Sequence, residues 1–298
     1  MANFLLIGVC VLAGILLRRL RILPADAAQS LNYVALYLSL PAVILLKVPQ
    51  LVMSGEMLAV ALLPWLMLAL SAGLVLMAAR LWRWPRPTTG VLLLVVPLGN
   101  TSFMGVPMVQ AFFGAAGIPF LIVYDQFGTM LIFATYGSLI LALYGRGGAA
   151  DLVAITRKAL LFPPTIALLL GLSLRAWPYP AAVSQVLEAL AGTLTPLVMI
   201  AIGLQMTLRL RPTTLAPLGT GLAIKLLLAP LAALLLCRLA GLHGLAVDVA
   251  ILEAGMPPMV TASALAVAAG MEAELAVALA GLGIIAAFVT LPLIYWLL

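Results

Sequence analysis

Long apolar stretches, separated by short clusters of arginine, proline and glycine, recur from one end of the chain to the other. Each stretch can cross the roughly 30 Å hydrocarbon core of a bilayer as a helix, whereas the strands of a membrane barrel would alternate polar and apolar residues. The pattern therefore predicts an all-α polytopic membrane protein with ten transmembrane helices. Their predicted ranges are 2–17, 29–47, 55–79, 88–113, 117–144, 157–175, 181–208, 215–239, 245–269 and 273–298.

The composition argues against a soluble domain and makes the lipid bilayer the expected surroundings. Of the 298 residues, 65% are hydrophobic and 8% are charged, against about 25% charged in a typical soluble domain. The net charge is +6, but the basic residues are scattered in short loops, so no nucleic-acid partner is expected. Cys10 and Cys237 lie in apolar segments and are expected to be small buried residues.

The distribution of basic residues predicts the orientation of the chain. Eleven lie in the loops after predicted helices 1, 3, 5 and 7, and three lie in the opposite loops. Because short cytoplasmic loops are enriched in Lys and Arg, both chain termini are expected on the outer side of the cell membrane. The eleven are Arg18, Arg19, Arg21, Arg80, Arg83, Arg86, Arg146, Arg157, Lys158, Arg209 and Arg211, and the three are Lys47, Arg175 and Arg238.

Ten helices with both termini on one side divide into two halves of five, which predicts repeats at 1–148 and 149–298. Since five is odd, the second half enters the membrane with the opposite orientation, as inverted-topology repeats do. LYLSLPAVILL in predicted helix 2 and GTLTPLVMIAIG in predicted helix 7 share a central proline with aliphatic flanks. The transport core, where helices of the two repeats cross, is expected to be centred on 88–144 and 245–298.

Predicted helices 4 and 9 contain sequences that interrupt a helix. PLGNTSFMGVPM, at 97–108, carries two prolines, two glycines and an Asn-Thr-Ser run, and EAGMPP, at 253–258, lies at a similar depth. Proline removes a backbone donor, so the freed polar groups need partners that lipid cannot provide. A kink explains one such break. Two breaks at matched positions predict a binding site, because half-helix N-termini suit an anion and free carbonyls suit a cation.

Glu253 is the most informative single residue of these segments. A carboxylate near the middle of the membrane costs on the order of 2.5 to 3.5 kcal/mol, so Glu253 is expected to face a cavity, bind a cation or be protonated. Asn100, Thr101 and Ser102 carry hard oxygen donors that could form a Na⁺ site with Glu253. Proton binding by Glu253 alone, or a neutral acid with a structural hydrogen bond, are the alternatives.

Three further polar residues lie in predicted helices. Asp125 and Gln126 are expected to line the outer route, to contact substrate or to hydrogen-bond the broken helices, and Lys225 is expected to extend its ammonium to the cytoplasmic interface. His243, the only histidine, falls in a predicted outer loop. With one histidine and no HExxH, GxSxG, Walker A or CxxC motif, neither an enzyme nor a cofactor other than a coupling ion is expected.

PLGNTSFMGVPMVQAFFG resembles the fourth-helix signature of the auxin efflux carrier family. SLNYVALYLSLPAVIL, TLTPLVMIAIGLQM, IKLLLAPLAALL and EAGMPPMVTASALAVAAG resemble its second, seventh, eighth and ninth helices, so the resemblance covers essentially the whole chain. The family implies a two-repeat transporter with helices 4 and 9 crossing at the substrate site. It also implies a mobile domain around the crossing, a scaffold that includes helices 2 and 7, and a homodimer made through the scaffold.

The family's fold is similar to that of the sodium-coupled bile-acid symporters, whose ninth helix has a glutamate before a Gly-Met pair, as Glu253 precedes Gly255 here. Those relatives have polar residues after Gly-Met, where this chain has Pro257 and Pro258. Plant auxin carriers insert a long hydrophilic loop between the halves, and this chain does not. The substrate site expected from the residues and the resemblance comprises Asn100, Thr101, Ser102, Pro107, Gln126, Met256 and Pro257, and the ion site comprises Glu253, Asn100, Ser102 and Asp125, with Thr101 as a further Na⁺ ligand.

The sequence thus predicts a secondary transporter of small organic anions, auxin-like or dicarboxylate, that works by alternating access with Na⁺ or H⁺ coupling. The alternatives are an uncoupled uniporter driven by the membrane potential and a ligand sensor that does not transport. A cation/proton antiporter would be expected to show more acids in predicted helix 5 than Asp125. The expected partners are the anion, the bilayer and a second copy of the chain.

Overall fold

The computed structural model describes residues 2–24, 26–50, 56–145, 161–175, 179–205 and 214–298. These residues form helices without strands, apart from one isolated bridge between Gly99 and Pro258, which confirms the predicted all-α class. The helices are α1 (Ala2–Arg19), α2 (Ala27–Lys47), α3 (Glu56–Leu81), α4 (Arg86–Val95), α5 (Gly105–Phe112), α6 (Gly114–Tyr144), α7 (Pro163–Ser173), α8 (Ala181–Gln205), α9 (Leu215–Leu239), α10 (Leu245–Ala254), α11 (Val260–Ala268) and α12 (Ala273–Leu297).

Most helices begin and end close to their predicted limits. Within the described part of the chain, six are long and apolar enough to cross a membrane, namely α2, α3, α6, α8, α9 and α12. The predicted helices 88–113 and 245–269 are each divided in two, as α4 with α5 and as α10 with α11. Arg146, Arg157, Lys158, Arg209, Arg211 and the predicted boundary at 148–149 lie outside the described residues, so the ten-helix inverted repeat stays a prediction.

The helices expose large apolar side chains. Leu5 is 70% exposed, Leu12 is 66% exposed and Trp296 is 81% exposed. Contact of such a surface with water is unfavourable by about 25 cal/mol per Å², whereas lipid tails are as apolar as leucine. The exposed surface therefore suits a bilayer.

The chain divides into two compact units, and each contains segments from both predicted halves. The first unit comprises Met1–Ser54, Ser102–Ile122 and Leu160–Met206. The second unit comprises Gly55–Thr101, Val123–Ala159 and Thr207–Leu298.

In the first unit, α1 packs against α8 at two facing glycines. A methyl group on Gly14 would meet the carbonyl oxygen of Ile200 and the Cα of Gly203, so the two backbones approach too closely for any larger residue. The α2 helix also packs against α8, and there the Ser39 and Thr193 hydroxyls share a hydrogen bond of 2.7 Å. Small residues and a partly buried hydroxyl pair therefore join these helices, as is common between membrane helices.

In the second unit, α12 packs against α4, α9 and α11. Val91, Val95, Leu275 and Leu279 belong to one buried apolar cluster of this unit. The cluster includes Leu98, so the interruption after α4 begins inside a packed core. The backbone that leaves the helix there is consequently shielded from lipid.

Candidate functional site

Both interruptions are present, and the second unit brings their backbones together. The α4 helix ends at Val95 and the α10 helix ends at Ala254. The backbone amide of Asn100 donates to the carbonyl of Pro257 at 2.7 Å, and the backbone amide of Met259 donates to the carbonyl of Leu98 at 2.9 Å. Gly99 and Pro258 face each other as an antiparallel bridge between these two bonds. We call this arrangement, residues 98–100 with 257–259, the crossing.

The crossing satisfies backbone groups that lipid could not. Each broken stretch supplies hydrogen-bond partners to the other, which replaces part of the helical bonding that the prolines prevent. Pro257 and Pro258 have no amide hydrogen, so their stretch offers carbonyls, and the Asn100 amide takes one of them. The polar backbone is therefore retained at the crossing without exposure to hydrocarbon.

Two carbonyls freed by proline are taken by side chains. Proline at position i removes the bond to the carbonyl at i−4. The carbonyl of Leu93, four residues before Pro97, accepts from the Tyr136 hydroxyl at 2.9 Å. The carbonyl of Ala254, four residues before Pro258, accepts from the Lys225 ammonium at 3.1 Å. Polar side chains on α6 and α9 thus donate hydrogen bonds to the carbonyls that the two broken helices leave without a backbone partner.

Asn100 combines a paired backbone with an unpaired side chain. The residue is 3% exposed, and its Nδ2 atom has no hydrogen-bond partner. A buried amide donor without a partner costs about 1 to 3 kcal/mol, so such groups normally have a water or ligand beside them. The Asn100 side chain therefore presents a donor for a ligand at the crossing.

Asp125 is held by donors from two directions. Thr101, the residue after Asn100, donates its hydroxyl to Asp125 Oδ1, and Gln126 Nε2 donates to Asp125 Oδ2 at 2.8 Å. Both Asp125 and Gln126 lie on a π-helical segment of α6, Tyr124–Met130, whose wider turn is often found at functional sites. The remaining amide oxygen of Gln126 is buried and has no hydrogen-bond partner. Asp125 thus hydrogen-bonds to the sequence next to the crossing, which is one of the roles predicted for it, whereas the Gln126 amide bonds to Asp125.

Glu253 is fully buried, and neither of its carboxylate oxygens has a hydrogen-bond partner. It is the penultimate residue of α10, directly before the interruption. Its charge interacts with those of Asp125 and Lys225. Two carboxyl groups and one ammonium therefore share the interior of the second unit around the crossing.

Lys225 differs from its prediction, because it does not extend to an interface. It is 3% exposed and lies in a π-helical segment of α9, Ile224–Leu228, with its Nζ atom on the Ala254 carbonyl. Hydropathy predicts the depth of a residue and leaves its direction open, so the snorkelling interpretation was wrong. The signal that could have found this contact is Pro258, which requires a donor for the carbonyl four residues earlier.

The other predicted site residues are buried, but they belong to different parts of the molecule. Met256 is 0% exposed and Pro257 lies in the crossing, both in the second unit. Ser102 and Pro107 fall in the first unit, where Pro107 lies in the first turn of α5, a position that tolerates proline. The second unit therefore brings together Asn100, Thr101, Asp125, Gln126, Glu253, Met256 and Pro257, with Lys225 added.

Among the described residues, no group of three or more His, Cys, Asp or Glu is arranged to bind a metal ion. A Na⁺ ion at the crossing would thus have to rely on carbonyl, hydroxyl and amide oxygens beside Glu253. One unpaired oxygen of this kind is the amide oxygen of Gln126, and both carboxylate oxygens of Glu253 are also unpaired. The Lys225 ammonium, however, already lies on the freed carbonyl of Ala254.

The chain is similar to known proteins over nearly its whole length. The profile of a family described as membrane transport protein matches residues 1–295. An uncharacterized transporter of Methanothermobacter thermautotrophicus is 29% identical over 288 residues, which cover 96% of this chain and 94% of that protein. An uncharacterized transporter of Methanocaldococcus jannaschii is 26% identical over 265 residues, which cover 85% and 84%. Both interruptions lie within the matched region.

Proposed function

Because the chain belongs to the membrane transport protein family, that of the auxin efflux carriers, we propose that it carries small organic anions, auxin-like or dicarboxylate, by alternating access at the crossing. The family and the transporter names of its relatives indicate a transporter and not an enzyme. The anion, the direction of transport and the coupling ion are parts of the proposal.

The unpaired Nδ2 donor of Asn100 is the observation that carries this proposal. A carboxylate is a strong, charged hydrogen-bond acceptor, so a bound carboxylate would accept from the buried side-chain Nδ2 of Asn100, which has no partner in the protein. The N-terminus of α11 begins at Val260, directly after the crossing, and supplies partial positive charge to an anion at the same place. The Asn100 donor thus requires an acceptor, and the helix N-terminus favours one that is negatively charged.

Glu253 provides the proposed coupling element. Its two unpaired oxygens accept either a cation or a proton, and its charge interacts with that of Asp125. An ion drives transport only if it binds the substrate-competent conformation better than the other. Glu253 directly precedes the interruption beside the crossing, so an ion bound there would respond to a rearrangement of the crossing, and the proposed coupling ion is either Na⁺ or H⁺.

Flux measurement in proteoliposomes tests the proposal. Purified protein is reconstituted, and uptake of radiolabelled succinate and indole-3-acetate is followed at fixed pH with a K⁺/valinomycin potential of either sign. Saturable uptake above that of protein-free liposomes is expected for at least one anion. An uptake that responds to the potential and ignores both Na⁺ and pH gradients would identify the uniporter alternative.

Asn100→Ala should reduce the flux at least tenfold, because it removes the donor proposed to bind the carboxylate. Asn32→Ala, on α2, is the matched control and should leave the flux unchanged, since Asn32 lies outside the crossing. Absence of flux for both anions, with either potential, would overturn the transport proposal. If an anion then still raises the thermal unfolding midpoint, the sensor alternative takes its place.

A further inference from the structure

The buried ammonium of Lys225 lies where the sequence leads one to expect a coupling cation. We propose that Lys225 is a tethered cation that occupies the cation position at the crossing, so that the protein neither binds nor requires Na⁺ there. This inference rests on the proposed function, and of the two proposed coupling ions it excludes Na⁺ and retains H⁺. It replaces the Na⁺ site predicted from Glu253, Asn100, Thr101 and Ser102.

The first argument is the acceptor that Lys225 contacts. Pro258 frees the carbonyl of Ala254, the last residue of α10, and a helix C-terminus carries partial negative charge. Freed carbonyls at a half-helix C-terminus are the groups that bind coupling cations in transporters with broken helices. Lys225 Nζ already donates to this oxygen at 3.1 Å. The protein thus supplies from its own chain the positive charge that the broken helix requires.

The second argument is the charge around Glu253. Among the described residues, the ionisable groups that influence this carboxyl electrostatically are Asp125 and Tyr124 from α6 and Lys225 from α9, and of these three Lys225 is basic. Asp125 is already held by the Thr101 hydroxyl and the Gln126 amide. A Na⁺ ion on the Ala254 carbonyl, the residue after Glu253, would lie beside the ammonium that already donates to this oxygen at 3.1 Å. Two positive charges on the same acceptor repel strongly in an interior of low dielectric constant.

The third argument is that the backbone leaves room for the ammonium. A methyl group on Gly99 would lie 3.2 Å from Lys225 Nζ and 3.5 Å from Lys225 Cε, so the end of the lysine packs directly on the backbone of the crossing. The π-helical segment Ile224–Leu228 changes the direction of the side chain relative to a regular helix. The absence of a side chain at Gly99 and the wider π-helical turn of α9 together make room for the ammonium at the crossing.

Thermal unfolding of the purified full-length protein tests the inference. Midpoints are measured in NaCl and in KCl, at the same ionic strength and pH, for the wild type and for Lys225→Ala. We expect the wild type to have the same midpoint in both salts. Lys225→Ala should have a lower midpoint that rises with the logarithm of the concentration of Na⁺ or of propylammonium, which restores the deleted atoms, by on the order of 5 °C at about a hundred times the dissociation constant.

Two control variants separate charge from packing. Lys225→Met fills the space without charge and should show no such rise, because no room remains for an ion. Lys47→Ala removes a lysine of α2 outside the site and should behave as the wild type. If Lys225→Ala is not recovered folded, Lys225→Ser is titrated in its place.

Either of two results would overturn the inference: a Na⁺-specific rise of the wild-type unfolding midpoint, or a folded small-residue variant whose midpoint responds to neither cation. These outcomes are independent of transport. Absence of anion flux in proteoliposomes would overturn the proposed function and would leave the midpoints unchanged, so the two failures are distinguishable.

Discussion

At the scale of residues, the Asp125 carboxylate connects α6 to the crossing. Its two oxygens accept from Thr101 and from Gln126, and hydrogen bonds to a charged group contribute about 1.5 to 3 kcal/mol each. Thr101 directly follows Asn100, whose backbone amide donates to the carbonyl of Pro257. The position of the Asn100 side chain therefore depends on Thr101 as well as on the backbone of the crossing.

Thr101→Val keeps the shape of the side chain and removes the hydroxyl, so it tests this connection. We expect a loss of about 1 to 3 kcal/mol of stability, because a donor to a buried carboxylate is removed. Anion flux should fall as well. Thr220→Val is the control, since the Thr220 hydroxyl bonds only within its own helix, and its effect should stay below about 0.5 kcal/mol. Equal effects of the two variants on the unfolding midpoint would contradict the role of Thr101.

A double-mutant cycle tests the contact between Gly99 and Lys225. Gly99→Ala should destabilise the protein by about 1 to 2 kcal/mol, because a methyl group would lie 3.2 Å from Lys225 Nζ. In the Lys225→Ala background the same change should cost at least about 0.5 kcal/mol less, since the ammonium is absent. Equal costs in the two backgrounds would show that the ammonium does not pack on Gly99. Unfolding midpoints of the four proteins provide the measurement.

The sequence identifies the important polar residues of the site, but it does not reliably predict which groups they contact. Glu253, Asn100 and Asp125 stand out because polar groups are rare in apolar helices. Lys225 was equally visible, but helix rotation and the π-helical turn of α9 decide whether it reaches a membrane surface or the Ala254 carbonyl. Neither is encoded in hydropathy, so its interpretation was wrong.

At the scale of elements, the interruptions follow directly from proline chemistry, and their pairing does not. Pro97 and Pro258 predict where α4 and α10 must end, because each removes a bond within the helix. The sequence cannot predict that Gly99 faces Pro258, since this register depends on the packing of α12 against both segments. The antiparallel pairing of the two stretches is therefore a finding of the structure.

Two glycines of α12 test how tightly the crossing is packed. A methyl group on Gly283 would lie 2.6 Å from Cδ of Pro258, whereas nothing lies within 4 Å of one on Gly281. Gly283→Ala should therefore lower stability by about 1 to 3 kcal/mol and reduce flux. Gly281→Ala is the matched control and should be neutral or stabilising by up to about 1 kcal/mol, because alanine favours a helix. A neutral Gly283→Ala would show that the ring of Pro258 can move freely.

At the scale of the whole molecule, contacts at both ends of α9 and α12 indicate how the second unit spans a membrane. Near their N-termini, the Thr214 hydroxyl donates to Glu274 at 3.0 Å, and near their C-termini Arg238 donates to the Leu298 carbonyl at 2.9 Å. The two helices are thus parallel and of similar length. The loop that contains His243 and the chain's C-terminus consequently lie at the same side, as an orientation set by the basic loops requires.

Labelling of single cysteines tests that orientation. In a background with Cys10 and Cys237, both free and buried, replaced by alanine, we introduce His243→Cys and Arg80→Cys at two exposed positions. A membrane-impermeant maleimide applied to intact cells should label position 243 and leave position 80 unlabelled until the cells are lysed. This is expected because Arg80, in the last turn of α3, adjoins one of the arginine-rich loops that are predicted to be cytoplasmic. The reverse pattern would invert the topology, and labelling of both in intact cells would contradict the placement of α3 and α9 as spans that end on opposite sides.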